Sequence, residues 1–364
     1  MTEVHQARRA VAQREVAVLG ADAALVTTGV NVRYLTGLAS SNAAVLVAAD
    51  GQAVLATDSR YEGTARRECP DIELVLDRNI EPALARLAIE RGWRTLAFEA
   101  QQMTVERHEA LAGLDDAMRL IPLGRVVEEL RMVKDEDEID LLGQACAITG
   151  EAFTQVLGLL RPGTTERQVA IAIERAMVDL GAEAPAFDTI VASGPNGAIP
   201  HHAAGGRELA AGDLVTIDCG ARVRGYHADM TRTVAIGQVA GWQREIYQLV
   251  ADAQAAGIAA ARPSAAVADV DAAARDLIAG AGHAEHFGHG LGHGVGLEIH
   301  EAPMIGSAKP GTLQDRVPVT IEPGIYLPGA GGVRIEDTLV VRTGNGAEGS
   351  ARPLTTITRE LLVL

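Results

Sequence analysis

Hydrophobic positions in the first third of the chain follow two periodicities, one typical of helices and one typical of strands. Apolar residues recur every three or four positions in RRAVAQREVAVLG (residues 8–20) and EPALARLAIERG (81–92), which predicts two helices. Short apolar runs occur in DAALVTT (22–28), AAVLVAADGQAVLAT (43–57) and RTLAFEA (94–100). They predict strands, and the Asp-Gly pair inside the second run predicts a turn between two of them.

A charged segment separates this small α/β domain from the rest of the chain. The segment VVEELRMVKDEDEIDLL (126–142) begins with charges and then becomes strongly helical. The boundary is expected within residues 122–134. We therefore predict an N-terminal α/β domain over residues 1–125 and a second domain over residues 126–364.

The second domain contains an internal repeat. LRPGTTERQVAIAIERAMVDLG (160–181) and ARPSAAVADVDAAARDLIAGAG (261–282) align without gaps, and each follows a long helical segment. Each predicts a Pro-led turn and an amphipathic helix. Chance similarity between two such helices is common, but DLVTIDCG (213–220) and VPVTIEPG (317–324) follow at matching places. The pattern favours two related halves that pack about a pseudo-twofold axis.

Each half ends an apolar, β-branched run with an acid. Asp218 closes VTID and Glu322 closes VTIE, and a second acid follows in each half, Asp229 and Glu336. A buried carboxylate must be paired or bound to a metal. A single acid could sit at a strand edge or pair with an arginine such as Arg334, but the repeat places four. Four converging carboxylates would repel strongly, and two divalent cations would neutralise them.

The stretch GHGLGHGVGLEIHE (288–301) holds three histidines and five glycines. His289 and His293 have the spacing of zinc ligands on a helix, but each glycine costs a helix about 1 kcal/mol relative to alanine. The stretch therefore predicts an extended or bulged backbone that approaches another group closely. One of its histidines is expected to bind the metals. Oxygen ligands with one imidazole suit manganese, cobalt(II), iron(II) or zinc.

Composition narrows the possible functions. The 364 residues are 48% hydrophobic and 22% charged, which is typical of a chain with a substantial core. The net charge of −16 argues against a nucleic-acid surface. Cys69, Cys146 and Cys219 have no metal-like spacing and indicate reduced thiols in a cytoplasmic protein. The N-terminus lacks the apolar region of a signal peptide, and no run approaches the ~18 apolar residues of a membrane span.

These motifs resemble the pita-bread metallopeptidases, the family of methionine aminopeptidase, aminopeptidase P and prolidase. NVRYLTGL (31–38) and TDSRY (57–61) are similar to the creatinase-type N-terminal domain of the last two. The resemblance covers nearly the whole chain and implies a creatinase-type α/β domain followed by an α+β pita-bread catalytic domain. The family's ligands follow the order Asp, Asp, His, Glu, Glu, which is met here by Asp218, Asp229, His293, Glu322 and Glu336.

The resemblance also implies how these ligands divide. Asp229 and Glu336 would bridge two divalent ions, with Mn²⁺ expected and Co²⁺, Fe²⁺ or Zn²⁺ possible. Asp218 would chelate one ion, and His293 with Glu322 would bind the other. Glu322 is in addition the expected proton carrier.

Further side chains are assigned by the same resemblance. His201 matches a substrate-side histidine, and His289 and His300 match two that contact the substrate carbonyl and assist proton movement. Arg334 matches an arginine that supports the acids, and Tyr226 an aromatic residue near the site. His202 is interpreted as a neighbour and not a ligand, and Cys219 as a core residue on the opposite face of its strand.

One departure from the family pattern lies before VTIEPG. The family often has a glycine there, whereas this chain has Arg316 and Pro318, which predicts an unusual turn.

The implied activity is hydrolysis of the Xaa-Pro bond at the N-terminus of short peptides by water that the two ions activate. A dipeptidase and an aminopeptidase P acting on longer peptides both stay open. A dipeptidase needs a cation for the substrate carboxylate, and only Lys309 and Arg316 are offered between the histidine stretch and VTIEPG. A metal-free binding module would have lost ligands, and a dinuclear phosphatase would need a phosphate-binding loop. A homodimer is expected by resemblance.

Overall fold

The computed structural model describes residues 2–344 and 349–364. The chain divides into two compact units, Met1–Arg131 and Met132–Leu364. This division falls within the predicted interval 122–134, and the sequence boundary at residue 125 stays a prediction.

The N-terminal unit is a mixed sheet with helices, and the helices and strands predicted from its periodicity are all present. Its helices are α1 (Thr2–Val18), α2 (Gly29–Thr36), α3 (Glu62–Glu68), α4 (Ile80–Glu90), α5 (Val105–Ala112) and α6 (Val126–Met132), whose last residue belongs to the second unit. Its strands are β1 (Ala23–Val26), β2 (Ala43–Ala48), β3 (Ala53–Thr57), β4 (Glu73–Leu76), β5 (Thr95–Phe98) and β6 (Arg119–Pro122). They form one sheet in the order β4-β3-β2-β1-β5-β6.

The predicted Asp-Gly turn joins antiparallel strands β2 and β3. Gly51 has φ 95°, a conformation that favours glycine. Burial follows the apolar runs, since every residue of β1 and β2 is buried. The unit therefore has its own core.

The second unit combines long helices with several small sheets. Its helices are α7 (Glu136–Val156), α8 (Glu166–Asp179), α9 (Gly241–Ala260) and α10 (Val267–Gly280), and 3-10 turns span Leu157–Leu159, Gly194–Ala198 and Ala284–His286. No helix of the described residues is long and apolar enough to cross a membrane.

The strands of the second unit carry the motifs that the sequence singled out. They are β7 (Ala184–Pro185), β8 (Ile190–Ser193), β9 (Leu214–Cys219), β10 (Ala221–Val223), β11 (Tyr226–His227), β12 (Met230–Ala235), β13 (Gly292–Gly294), β14 (Glu301–Ile305), β15 (Pro318–Ile321), β16 (Gly324–Leu327), β17 (Gly331–Arg334), β18 (Asp337–Arg342) and β19 (Ser350–Pro353). β9 lies between β8 and β12, and β15 lies between β13 and β18.

The internal repeat is a repeat of structure. α7 and α8 share one apolar cluster with β9 and β12, whereas α9 and α10 share another with β15 and β18. The turns before α8 and α10 match in backbone as well: Gly163 has φ 88° and its counterpart Ser264 has φ 67°. Each turn is followed by an isolated antiparallel bridge, at Thr165 with Glu208 and at Ala266 with Thr312. Each half therefore has a largely separate core, although Leu214 of β9 and Ala235 of β12 pack in the cluster of the second half.

The turn before β15 explains the departure noted at Arg316. Arg316 has φ 61°, and Gly212, at the same place in the first half, has φ 89°. Both turns are tied to the neighbouring strand, since the Gly212 N–H donates to the Ile236 carbonyl at 2.6 Å and the Arg316 N–H donates to the Val341 carbonyl at 2.8 Å. The left-handed conformation costs a non-glycine residue roughly 1–2 kcal/mol. The repeat therefore imposes a glycine conformation on an arginine.

We expect Arg316→Gly to raise the free energy of unfolding by about 1 kcal/mol, because it relieves the left-handed strain. Urea unfolding of the second unit would measure the change. Arg316→Ala controls for the lost side chain and should gain nothing. Gly212→Ala should lose about 1 kcal/mol, since its added Cβ meets no atom within 4 Å and only the backbone is strained. A destabilised Arg316→Gly protein would contradict the strain.

Candidate metal centre and active site

Strand pairing brings the four predicted acids to one place. Asp218 lies in β9 opposite Thr231 of β12, and Asp229 immediately precedes β12. The second half repeats this arrangement, with Glu322 directly after β15 and Glu336 directly before β18. The Glu336 N–H donates to the Thr231 carbonyl at 3.1 Å, which joins the two halves at the acids.

The acids offer oxygens that the protein itself does not satisfy. Asp218 Oδ1 and Glu336 Oε1 are buried and have no hydrogen-bond partner among the described residues. Asp229, His293 and Glu336 each bring one potential ligand atom within 4.8 Å of the others. Buried, unpartnered carboxylate oxygens beside an imidazole are a donor set that fits divalent cations.

Without a cation, the acids resist ionisation together. Burial raises the pKa of Asp229 well above its usual range, and the charges of Glu336 and Asp218 raise it further. Burial and the charges of Glu322 and Asp218 do the same to the pKa of Glu336. Burial raises the pKa of Glu322 to about 8, although Arg334 opposes the shift. Neutralisation by bound cations would remove this repulsion.

His293 is oriented as a metal ligand. Its Nδ1 lies 3.0 Å from the Gly294 carbonyl oxygen, which can only accept, so Nδ1 carries the proton. Nε2 therefore presents a lone pair, 3.4 Å from Glu322 Oε1 and 3.5 Å from Asp229 Oδ2. Burial lowers the pKa of His293 to about 4, so the ring is neutral at neutral pH. A neutral imidazole whose proton is fixed on the far nitrogen is typical of metal-bound histidines.

The glycines around His293 are explained by close approach of neighbouring strands. A Cβ added to Gly292 would lie 2.0 Å from the Thr320 carbonyl oxygen, and one added to Gly294 would lie 2.2 Å from that of Ala302. β13 pairs with β14 on one side and β15 on the other. The prediction that this stretch is extended and not helical is confirmed.

A cavity of about 860 Å³ contains the predicted site. The five predicted ligands, the predicted histidines and Arg334 all line it; these residues are Asp218, Asp229, His293, Glu322, Glu336, His201, His289, His300 and Arg334. The ring of His300 lies edge-on to that of His293, with centroids 4.5 Å apart. Burial lowers the pKa of His300, so its ring is a neutral hydrogen-bonding group at neutral pH.

Arg334 connects an acid to a histidine through a tyrosine that the sequence did not single out. Its Nη2 donates to Asp218 Oδ2 at 2.8 Å, and its Nη1 donates to the Tyr326 hydroxyl at 2.9 Å. Tyr326 Oη lies 2.9 Å from His289 Nε2, while His289 Nδ1 lies 2.8 Å from the Gly290 carbonyl. Because that carbonyl only accepts, Nδ1 donates and Nε2 accepts from Tyr326. Tyr326 thereby orients His289.

The structure does not bring Tyr226 to this cavity. Its hydroxyl donates to Glu138 Oε1 at 2.8 Å, and it is absent from the described residues that line the cavity. Cys219 lies in the apolar cluster of the first half, as predicted from strand alternation. His202 lies beside His201, and its Nε2 is 2.8 Å from Glu166 Oε2.

We expect Mn²⁺ to stabilise the chelator-stripped protein, because the cation relieves the repulsion among the acids. At a free Mn²⁺ concentration a hundred times its Kd, the free energy of unfolding increases by about 2.7 kcal/mol. This increase raises the melting temperature by roughly 5–10 °C. Differential scanning calorimetry would measure the shift. His201→Ala should keep it, whereas Glu336→Gln should reduce it greatly. An equal shift in wild type and Glu336→Gln would place the bound cation elsewhere.

The comparisons with known proteins agree with this site. The family model of the creatinase/prolidase N-terminal domain matches residues 8–133, and that of metallopeptidase family M24 matches residues 140–343. An Xaa-Pro dipeptidase of Pyrococcus horikoshii is 35% identical over 344 residues, 94% of each chain.

Solved structures are similar over the whole chain. An Xaa-Pro dipeptidase from Bacillus anthracis superposes with a TM-score of 0.94 at 35% identity, covering 99% of this chain and 100% of its own. An X-Pro aminopeptidase from Thermotoga maritima has a TM-score of 0.88 at 34% identity, covering 96% and 100%. The predicted creatinase-type and pita-bread domains are thereby confirmed, and the chain belongs to metallopeptidase family M24.

Proposed function

We propose that this protein is a metal-dependent exopeptidase that hydrolyses the Xaa-Pro bond of dipeptides. The observation that supports the proposal is the convergence of the five proposed ligand side chains and three further histidines, His201, His289 and His300, on one cavity. The similarity to Xaa-Pro dipeptidases supports the substrate. A metal-free binding module would have lost one or more ligands, so the full set favours an enzyme.

Asp218, Asp229, His293, Glu322 and Glu336 would hold two divalent cations, with Mn²⁺ as the proposed native metal. Bound there, the cations would supply an acidified water and polarise the scissile carbonyl. Asp229 and Glu336 come from different halves, so they suit the proposed role of holding both cations. Arg334 holds Asp218 in place by a hydrogen bond to Oδ2.

The remaining side chains would orient the substrate and move protons. His201 and His300 line the cavity and can donate hydrogen bonds to the substrate carbonyl as charge develops on its oxygen. Glu322 accepts a hydrogen bond from Thr320 Oγ1 at 3.3 Å and is the proposed proton carrier to the leaving nitrogen. Tyr326 and Arg334 hold the His289 ring in one orientation.

The position of Lys309 favours a dipeptidase over an aminopeptidase P that acts on longer peptides. Of the two cations that the sequence offered for the substrate carboxylate, Lys309 lines the cavity, whereas Arg316 is confined to the turn before β15. Lys309 could therefore pair with the C-terminal carboxylate of a bound dipeptide. A longer peptide places an amide at that position and gains nothing from the charge.

We also propose a homodimer in the cytoplasm. The dimer rests on the family resemblance alone. The three cysteines are buried free thiols, which supports a reducing compartment.

The chelator-stripped protein refilled with Mn²⁺ is expected to release proline from an Xaa-Pro dipeptide and to cleave an Xaa-Pro-Yaa tripeptide far more slowly. Chromatography of the released amino acids would measure both reactions. Faster cleavage of the tripeptide would instead identify an aminopeptidase P. Failure on both substrates with every divalent metal tried would refute the peptidase and favour the binding module.

We expect Lys309→Met to raise KM for the dipeptide by about 10- to 100-fold, since a charge-assisted hydrogen bond contributes about 1.5–3 kcal/mol. KM for the corresponding dipeptide amide should not change, because it lacks the carboxylate. Lys309→Arg is the matched control and should retain most of the affinity. Equal effects of Lys309→Met on the acid and the amide would show that Lys309 does not bind the carboxylate.

A further inference from the structure

A buried glutamate outside the metal centre makes an unusual number of hydrogen bonds. Glu166 is the first residue of α8, and its side chain is fully buried. Its Oε1 accepts from Ser193 N at 2.8 Å, from Ser193 Oγ at 2.7 Å and from Asn196 Nδ2 at 2.9 Å. Its Oε2 lies 2.8 Å from His202 Nε2 and accepts from Gly205 N at 3.3 Å. One carboxylate therefore binds four residues of a single segment.

That segment, residues 193–205, carries His201. On its other side, the Pro200 carbonyl accepts from Arg334 Nη1 at 3.4 Å. His201 therefore lies between Pro200, which contacts Arg334, and His202, which contacts Glu166. The segment has no helix or strand between its 3-10 turn and its end to fix the backbone at His201.

The charge on Glu166 is maintained in its buried position. Burial by itself raises the pKa of Glu166, but the hydrogen bonds from Ser193, Asn196 and His202 outweigh burial and lower the pKa below its usual value. The carboxylate is therefore ionised at neutral pH, and His202 Nε2 is the donor to it. Arg207 adds a second tie, because its Nη1 donates to Ser193 Oγ at 2.6 Å.

The fold itself does not require a glutamate at this position. The start of α8 is capped by Thr165 and Gln168, which exchange side-chain and backbone hydrogen bonds. At the same place in the second half, helix α10 begins with Val267, which is also fully buried. The first half differs in carrying the His201 segment. The carboxylate is thus explained by that segment and not by the helix.

We propose that Glu166 is a positioning residue that holds residues 193–205 so that His201 faces the substrate. The proposal deepens the Xaa-Pro peptidase function proposed above and rests on it. It gives His202 a role as well: His202 lines the cavity beside His201 and links the backbone of this pair to the Glu166 carboxylate.

Glu166→Gln tests this role while keeping the side chain's size. The glutamine has an NH₂ group where Glu166 has one carboxylate oxygen, and this group faces hydrogen-bond donors of the 193–205 segment. The segment therefore loses hydrogen bonds that hold it to α8. We expect kcat for the Xaa-Pro dipeptide to fall about 10- to 100-fold with little change in KM, because a small displacement of a catalytic group has effects of this size. Mn²⁺ affinity, measured by titration calorimetry, should not change.

Glu99→Gln is the matched control. Glu99 lies in the N-terminal unit, is also fully buried, and accepts hydrogen bonds from Thr27 N, Thr28 N and Asn31 Nδ2. We expect Glu99→Gln to lower the melting temperature as Glu166→Gln does but to leave kcat unchanged. A similar fall of kcat in both variants would reduce the role of Glu166 to stability.

A double-mutant cycle separates positioning from a general structural effect. If Glu166 acts through His201, Glu166→Gln should cause no further loss of kcat in a His201→Ala background. An undiminished loss in that background would overturn the proposal. ¹H–¹⁵N spectra of the imidazole groups supply a readout without substrate: the His201 signals should shift in Glu166→Gln. If the wild type cleaves no Xaa-Pro dipeptide, the proposed function fails, and unchanged His201 signals would then overturn the positioning role by themselves.

Discussion

The main physical constraint on the second unit is that several carboxylates are buried together, away from water, where they repel one another. Asp218, Asp229, Glu322 and Glu336 meet in one cavity, and the Arg334 guanidinium donates a hydrogen bond to Asp218. One positive charge cannot balance four acids, which is why burial and mutual repulsion raise the pKa values of three of them. The geometry is held by the strands and not by attraction within the site. Without bound cations these acids would relieve the repulsion by taking up protons, and bound cations would let them stay ionised.

Hydrogen bonds and an ion pair from neighbouring side chains hold these acids in place. Thr231 Oγ1 donates to Glu336 Oε2 at 2.6 Å and accepts from Arg334 Nε at 3.1 Å. Behind the acids, Asp337 pairs with Arg232 at 2.7 Å. Each of these contacts joins the first half of the unit to the second. The seam between the halves is therefore polar at the site, although each half has a largely separate apolar core.

Two features of the second unit could be predicted from the sequence: the strands that carry the repeated acids, and the extended backbone around His293. An apolar run that ends in an acid is less easily explained by chance when it occurs twice, and in the structure Asp218 lies in β9 and Glu322 directly follows β15. The glycines beside His293 similarly indicated a crowded backbone before any partner was known. These signals are local, so a single sequence contains them. The roles assigned to the individual side chains stay proposals.

Contacts between distant residues could not be predicted in this way. The family resemblance places Tyr226 near the site, yet its hydroxyl contacts Glu138 on α7. Tyr326 meets Arg334 because β16 and β17 pair, which the sequence GIY does not reveal. Glu166 is separated from its partners by 27 to 39 positions.

The division of the proposed ligands between the halves would have a consequence for how the enzyme acquires activity during folding. The first half would contribute Asp218 and Asp229, and the second His293, Glu322 and Glu336. A chain in which only one half has folded would then hold too few ligands for a pair of cations. Hydrolytic competence would then arise late, as the last property acquired during maturation. A nascent or partly unfolded copy would be an inert polypeptide and not an unregulated protease.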